Sequence, residues 1–236
     1  MRTSTLAILS VALVAVAGLS ACSMAEPASA ADRRFSVGSF DRIRSTGSMD
    51  VKVTTGPAVS VVARGTQADL DRLEISVRDG ALLIGSKPGS WSWSREGVAV
   101  HVSVPALSGV VLTGSGGVDV NRMAAPAVEL SVTGSGDLKV AAIDAPKLRA
   151  SVTGSGDLAM AGRCGAGALS VTGSGDIDAD ALACQTLDIS VAGSGNVSAN
   201  ASRTANVAVM GSGDVSVIGG AACTRSRRGS GEIICR

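Results

Sequence analysis

Apolar and polar residues alternate with a period of two over most of this chain, and from about residue 110 a recurring glycine-rich tripeptide interrupts the alternation. A period of two is the pattern of a β-strand that buries one face. Asp79-Gly80 predicts a hairpin turn, residues 68–73 a single helical turn, and residues 87–97 a loop or edge flap. The alternating runs before residue 110 predict strands at 50–53, 59–62, 74–77, 81–84 and 98–104.

From residue 110 onwards the tripeptide Gly-Ser-Gly punctuates the alternation at a nearly constant interval. It occurs seven times, at spacings of 20, 20, 19, 20, 18 and 18 residues. An interval of this size indicates a β-solenoid, in which each repeat is one turn of a stacked coil. The copies begin at Gly114, Gly134, Gly154, Gly173, Gly193, Gly211 and Gly229.

Apolar residues keep fixed places around each copy of Gly-Ser-Gly. In the second repeat these places hold Leu130 and Val132 before the corner, then Leu138 and Val140 after it. Each repeat is therefore predicted to contain a strand, a tight corner and a second strand, and both strands bury side chains of the same parity. A second, looser corner is expected at places that carry Pro or Ala, namely Pro126, Pro146 and Ala166 to Ala168.

The first residues are predicted to be an export signal. Arg2 precedes an apolar run over residues 6–19 that is too short to span a bilayer stably. Leu19-Ser20-Ala21-Cys22 is typical of a lipoprotein cleavage site, at which Cys22 becomes the lipid-bearing first residue. Ala28-Ser29-Ala30 offers the alternative of ordinary cleavage after residue 30.

The predicted organisation therefore has three parts. A signal peptide occupies residues 1–21, a flexible tether residues 22–35, and a single solenoid domain residues 36–236. Within that domain, irregular coils are expected over 36–109 and regular Gly-Ser-Gly coils over 110–236. A domain of this length buries a sizeable core.

Composition and charge narrow the function classes. The 21 basic and 20 acidic side chains leave a net charge of +1, which argues against nucleic acid as a partner, since phosphate binding needs a clustered positive surface. A strand pattern rather than a helix follows every Gly-Ser-Gly, so these are not phosphate-binding loops. The single histidine, His101, has no assignable nucleophile partner. No catalytic residue and no cofactor are assigned.

The four cysteines of the second half are predicted to form disulfides, which an exported protein permits. Cys164 and Cys184 each lie nine residues before the next Gly-Ser-Gly, so they occupy equivalent places in consecutive coils. Strands about 4.8 Å apart lie within disulfide reach. Cys223 and Cys235 lie six residues on either side of Gly229 and are placed to staple the last coil. Without a Cys-x-x-Cys pair, zinc is not expected.

An acidic residue recurs directly after the corner. The candidates for a calcium site at this position are Asp137, Asp157, Asp176 and Asp214, with Asn196 in the same place of another coil. Stacked carboxylates repel one another unless water or a cation screens them, and calcium binds several oxygen ligands. The alternative is that each aspartate bonds its own local backbone at the turn.

Two segments that depart from the repeat pattern are candidates for contact with a ligand or partner. Trp91 and Trp93 alternate with serines, and they either stack on a ligand or cover the apolar N-terminal end of the solenoid. Arg225 and Arg227 occupy positions that are apolar in most earlier coils, and Arg228 follows them. They form either a charged cap that prevents edge pairing or a contact with an anionic surface or polysaccharide.

The order of these elements resembles the head GIN domain family of auto-transporter adhesins from bacterial envelopes, over roughly residues 36–220. The resemblance implies a right-handed, single-stranded parallel β-helix with coils of about 20 residues, carrying an irregular N-terminal β-region. It brings no catalytic residues. The segments that carry it are Phe40-Asp41-Arg42-Ile43, Gly47, Asp50-Val51-Lys52-Val53, Asp79-Gly80-Ala81-Leu82, Val104-Pro105-Ala106-Leu107 and the repeated Gly-Ser-Gly-Asp.

These observations predict a non-catalytic binding or adhesion module exposed on a bacterial envelope. A lipid on Cys22 would anchor it to the outer membrane, because Ser23 rather than Asp follows the cysteine. The expected partners are the membrane and a glycan or an envelope protein. The alternatives are a polysaccharide lyase or hydrolase on a β-helix scaffold, an envelope scaffold or sensor subunit, and a soluble periplasmic or secreted location.

Overall fold

Parallel strands stacked in register make up most of the structure, a computed structural model that describes residues 31–89 and 97–236. The strands of the N-terminal part are β1 Ala31–Phe35, β2 Arg42–Gly47, β3 Asp50–Thr55, β4 Ser60–Gly65, β5 Leu73–Arg78, β6 Ala81–Ser86 and β7 Ala99–Val104, with helix α1 Gln67–Arg72 between β4 and β5. The coil strands are β8 Gly109–Gly114, β9 Gly117–Val120, β10 Met123–Ala124, β11 Ala127–Gly134, β12 Asp137–Gly154, β13 Leu158–Gly173, β14 Ile177–Gly193, β15 Val197–Gly211, β16 Val215–Ile218, β17 Ala222–Gly229 and β18 Ile233–Cys235.

The Gly-Ser-Gly corners lie on top of one another in a single column, which confirms the predicted solenoid with coils of about 20 residues. Gly134 aligns with Gly114 on one side and with Gly154 on the other. The Ser135 amide donates to the Gly114 carbonyl at 2.9 Å, and the Ser155 amide donates to the Gly134 carbonyl at 2.8 Å. The apolar residues that flank each corner point inward and are buried, as the alternation predicts.

Each regular coil has three sides, which corrects the prediction of two strands and one further corner. Buried residues of β12 are normally two positions apart, but at two places they are three positions apart. The buried residues are Leu138, Val140, Ile143, Ala145 and Leu148, so the longer steps follow Val140 and Ala145. The chain bends at both places, and the pairing register shifts between Val140 and Ile143. The bend near Pro146 is predicted correctly, whereas the earlier bend falls on two alanines that carry no turn signal.

One regular coil lies inside the segment predicted to be irregular over 36–109. Gly47 aligns with Gly114, has a φ of 115°, and its carbonyl accepts from the Ser115 amide at 2.9 Å. Strands β2 and β3 therefore form a coil with an equivalent corner, in which buried Met49 replaces the second glycine. The sequence hides this coil because its corner reads Gly-Ser-Met and β4 to β7 separate it from the next coil.

The remaining N-terminal strands and helix α1 close the N-terminal end of the core. Strands β6 and β7 pair in parallel with β2 and β3, and β5, β4 and β1 then add antiparallel strands outside them. Helix α1 begins at its N-cap Thr66 and buries Leu70 completely. The predicted strands and the Asp79-Gly80 hairpin are confirmed, since both turn residues have positive φ. The tether predicted over 22–35 extends too far, because Ala31–Phe35 form β1.

Candidate ligand-binding groove

An open groove of about 570 Å³ runs along the solenoid on the side of each coil that precedes the Gly-Ser-Gly corner. Its floor consists of small outward-pointing residues that occupy one repeat position, three residues before the corner. Period-two alternation turns this position outward, and its small side chains leave a furrow along the stacked coils. The floor residues align across neighbouring strands and are Ser151, Ser170, Ser190, Ala208 and Ser226.

One wall of the groove carries charged and polar side chains. Arg149, Asp188 and Asn206 occupy the repeat position two residues before the floor, and Asn206 Nδ2 donates to Asp188 Oδ1 at 2.8 Å. A second cavity of about 540 Å³ shares Arg149 and Asp188 and continues toward the N-terminal end, past Glu129 and Lys147. The wall therefore carries both charges and neutral polar groups over several coils, which suits an elongated ligand with polar groups along one edge.

Hydroxyl groups are the main polar groups of the groove floor. Ser151 Oγ donates to Ser131 Oγ at 3.2 Å, which joins the hydroxyls of two neighbouring coils. The groups with displaced pKa values lie elsewhere: hydrogen bonds from arginines lower the pKa of Asp32, Asp71 and Asp144, and burial raises the pKa of Asp180. The groove could have been found from the sequence, because Ser recurs in the floor position of successive repeats.

The predicted calcium candidates form a ladder of hydrogen bonds between coils. Asp157 Oδ1 accepts from the Asp176 amide at 3.0 Å, and Asp176 Oδ1 accepts from the Asn196 amide at 2.7 Å. Asn196 Oδ1 accepts from the Asp214 amide at 3.0 Å. The bonded amides belong to the next coil, so the expected bond to the local turn is wrong for these residues.

No group of three or more His, Cys, Asp or Glu side chains able to hold a metal ion occurs in residues 31–89 and 97–236. The ladder thus aligns the aspartates one per coil without gathering them around a point. Calcium binding at Asp137, Asp157, Asp176 and Asp214 stays a prediction.

Both cysteine pairs are disulfides in the structure. Cys164 and Cys184 join neighbouring coils with a Cα–Cα distance of 4.4 Å and are buried. Cys223 and Cys235 join β17 to β18 in the last coil, with a Cα–Cα distance of 6.5 Å. Cys22, Trp91 and Trp93 lie outside the described residues, so their predicted roles stay predictions.

The C-terminal arginines lie across the open end of the core. Arg225 and Arg227 align with the buried Val207 and Val209 of the previous coil, yet both arginines are exposed. Arg225 Nη1 donates to the Ile233 carbonyl at 3.5 Å, and Arg227 Nη1 donates to the Gly231 carbonyl at 3.0 Å. These contacts hold both arginines against the backbone of residues 231–233, and the predicted roles of charged cap or anionic contact stay predictions.

One family model matches residues 39–221 of the 236 in this chain, a range that includes most of the stacked corners. That model is described as "Putative auto-transporter adhesin, head GIN domain". The chain belongs to the head GIN domain family. No curated protein matches this family member.

Solved structures support the fold of this GIN domain. A "putative adhesin" from Bacteroides fragilis superposes with a TM-score of 0.83 at 20% identity, over 88% of this chain and 97% of the other. Two proteins from Parabacteroides distasonis follow at 21% identity and 88% coverage of this chain. One is a "putative lipid binding protein", with a TM-score of 0.71 over 96% of its length. The other is a "putative adhesin", with a TM-score of 0.70 over 97% of its length. Within residues 31–89 and 97–236, no helix is long and apolar enough to cross a membrane.

Proposed function

We propose that this GIN domain is a non-catalytic adhesion module of the bacterial envelope that binds an elongated glycan along the axial groove. The observation that carries the proposal is the continuity of the groove over several coils, with a floor of small residues and a wall of charged and polar side chains. The hydroxyl groups of the floor and the amide, guanidinium and carboxylate groups of the wall can all form hydrogen bonds with the repeated hydroxyls of a linear polysaccharide. Membership in an adhesin family supports the same role.

We propose further that a lipid on Cys22 anchors the module to the outer membrane. The first described strand, β1, belongs to the N-terminal cap, the antiparallel strands β1, β4 and β5 with helix α1 at one end of the solenoid. An anchor that precedes β1 would hold the cap end toward the membrane and direct the stacked coils away from it. Two anchoring signals or a multi-acyl group hold a protein stably on a bilayer. Mass analysis of the mature N-terminus tests the lipid, and Cys22→Ser should release the protein from the membrane fraction.

A glycan array with two matched variants tests the groove. Ser170→Phe places a large ring on the groove floor, whereas Ser198→Phe places the same ring on another side of the coils, outside both cavities. Ser170→Phe is expected to abolish binding of any glycan that the wild type retains, and Ser198→Phe to leave it unchanged. Equal retention by both variants, with unchanged melting temperatures, would contradict the groove as the site.

Trp91 and Trp93 provide a second, independent test of recognition. If they contact the glycan, replacing both with alanine should remove binding and leave the melting temperature unchanged. If they cover the end of the solenoid, the same change should lower the melting temperature because apolar area becomes exposed.

A further inference from the structure

The C-terminal end of the solenoid exposes a strand edge. Strand β17 pairs in parallel with β15, and no strand of the described residues pairs with its other edge. Strand β18 likewise pairs with β16. An unpaired edge presents backbone amides and carbonyls in the spacing that an added strand requires.

The charge at this edge is mostly positive. Arg225, Arg227, Arg228 and Arg236 lie in the last two strands or directly after them, with Glu232 as the one acidic residue after Asp214. Among the described residues, the ion pairs of the structure involve none of these arginines. The two arginines at interior positions bond to carbonyl oxygens, which leaves their positive charge without a carboxylate.

The edge is also held in place before any partner arrives. The disulfide between Cys223 and Cys235 ties β17 to β18 across the corner at Gly229. A binding surface that is already ordered loses less conformational entropy on association.

We propose that this edge docks an acidic, extended segment of a partner protein by strand addition. A strand added to β17 would place its side chains about 5 Å from those directly opposite. Because Arg225 and Arg227 are two residues apart, they face the same side of β17. Carboxylates at alternate positions of the added strand would therefore lie against both guanidinium groups.

The same arginines select against other occupants. An apolar strand would have to bury two cations without partners, and the equivalent end of a second copy would bring like charges together. A polyanionic glycan or an anionic membrane could neutralise the arginines, but it could not use the alternating donors and acceptors of the strand edge. The inward charges thus exclude apolar strands and favour acidic ones.

Titration of the purified mature protein with two synthetic peptides tests this proposal. Both peptides match β17 in length and contain the same numbers of Glu, Val and Thr. In one peptide Glu alternates with the other residues, and in the second all Glu residues are adjacent. The alternating peptide is expected to bind and to shift the amide resonances of β17, and the second peptide to bind at least about tenfold more weakly, equivalent to about 1.4 kcal/mol.

Variants separate the edge from general electrostatics. The double change Arg225→Gln and Arg227→Gln should weaken binding of the alternating peptide about tenfold or more. Arg203→Gln changes an exposed arginine of β15, directly before the residues that pair with β17, and should not weaken it. Equal affinity for both peptides, amide shifts away from β17, no binding, or preference for heparin or anionic vesicles would each overturn the proposal. The resonance shifts remain informative if the double variant folds poorly. None of these outcomes depends on the groove or on the lipid anchor.

Discussion

At the scale of single residues, Gly154 shows why the corner cannot carry a side chain. Its φ of 117° lies in the left-handed region, and an added Cβ would collide with the Gly134 carbonyl oxygen of the coil below. Backbone on both sides is fixed by stacking, so neither constraint can relax.

Gly154→Ala should therefore destabilise the protein more than the same substitution at a glycine that has a positive φ but free space around it. Gly220 is the matched control, because its φ is 77° but an added Cβ would meet no atom within 4 Å. We expect about 1–2 kcal/mol for Gly220→Ala and more than about 3 kcal/mol for Gly154→Ala, from urea unfolding. Similar losses at the two positions would show that the stacked carbonyl is not the decisive constraint.

The aspartate ladder makes a second prediction at this scale. Asp176 Oδ1 accepts from both the backbone amide and Nδ2 of Asn196, at 2.7 and 3.1 Å. Asp176→Ala removes the acceptor and should cost about 1 kcal/mol, whereas Asp176→Asn keeps an oxygen there and should cost less. Unfolding free energies at neutral pH measure both. Equal losses for Asn and Ala would mean that the negative charge, rather than the acceptor oxygen, stabilises the coil contact.

At the scale of elements, β1 depends on two arginine–aspartate contacts. Arg64 Nε donates to Asp32 Oδ1 at 2.7 Å, and Arg33 Nη2 donates to Asp71 Oδ1 at 2.5 Å. These hydrogen bonds lower the pKa of both carboxyl groups. A lowered pKa in the folded state contributes stability above the unfolded value of about 3.9, and the contribution is lost as the pH falls through the folded value.

The double variant Arg33→Gln and Arg64→Gln should therefore differ from the wild type in melting temperature at neutral pH. The difference should shrink as the pH falls below about 4, because the wild type then loses the same contacts. Calorimetric melts across this range measure it, with Arg203→Gln as a variant whose effect should not follow the same trend. A difference that persists undiminished at low pH would contradict a role for the ionised carboxylates.

The two disulfides should contribute in different ways. Cys164–Cys184 joins consecutive coils in the middle of the stack, with a sequence separation of 20, so replacing both with alanine should lower global stability by about 3 kcal/mol. Cys223–Cys235 lies at the open end, so its removal should mainly increase amide exchange in β17 and β18. Exchange increases spread evenly over all coils would contradict this division.

The elements also show how far the sequence alone leads. Alternation and the Gly-Ser-Gly interval predict the strands, the stacked corners and the buried residues, because each follows from local geometry. The bend after Val140 is not predicted, since Ala141 and Ala142 fit either face of a strand and are not typical turn residues. The coil of β2 and β3 is not predicted either, because its neighbour in space, β8, is distant in sequence. The recurring serines mark the groove floor in the sequence, but the course of the groove along the solenoid depends on how the coils align.

At the scale of the whole molecule, one continuous core extends from Phe40 in the cap to Ile233 in the last coil. Each coil contacts its neighbours, so the stability of such a stack is approximately a sum of coil and interface contributions. The two ends are therefore the places where the stack could grow by association. The N-terminal cap closes one end with antiparallel strands and α1, whereas exposed arginines occupy the other.

Replacing the two inward arginines of the last coil with the apolar residues of earlier coils should convert the C-terminal end into an association surface. Arg225→Val with Arg227→Val would continue the interior columns of Val207 and Val209 and leave an apolar open edge. Sedimentation equilibrium should then show stronger self-association than in the wild type. Arg228→Val, which aligns with the exposed Met210 rather than with the interior, should cause little change. A folded double variant that associates no more than the wild type would mean that edge geometry, and not the two inward charges, ends the stack.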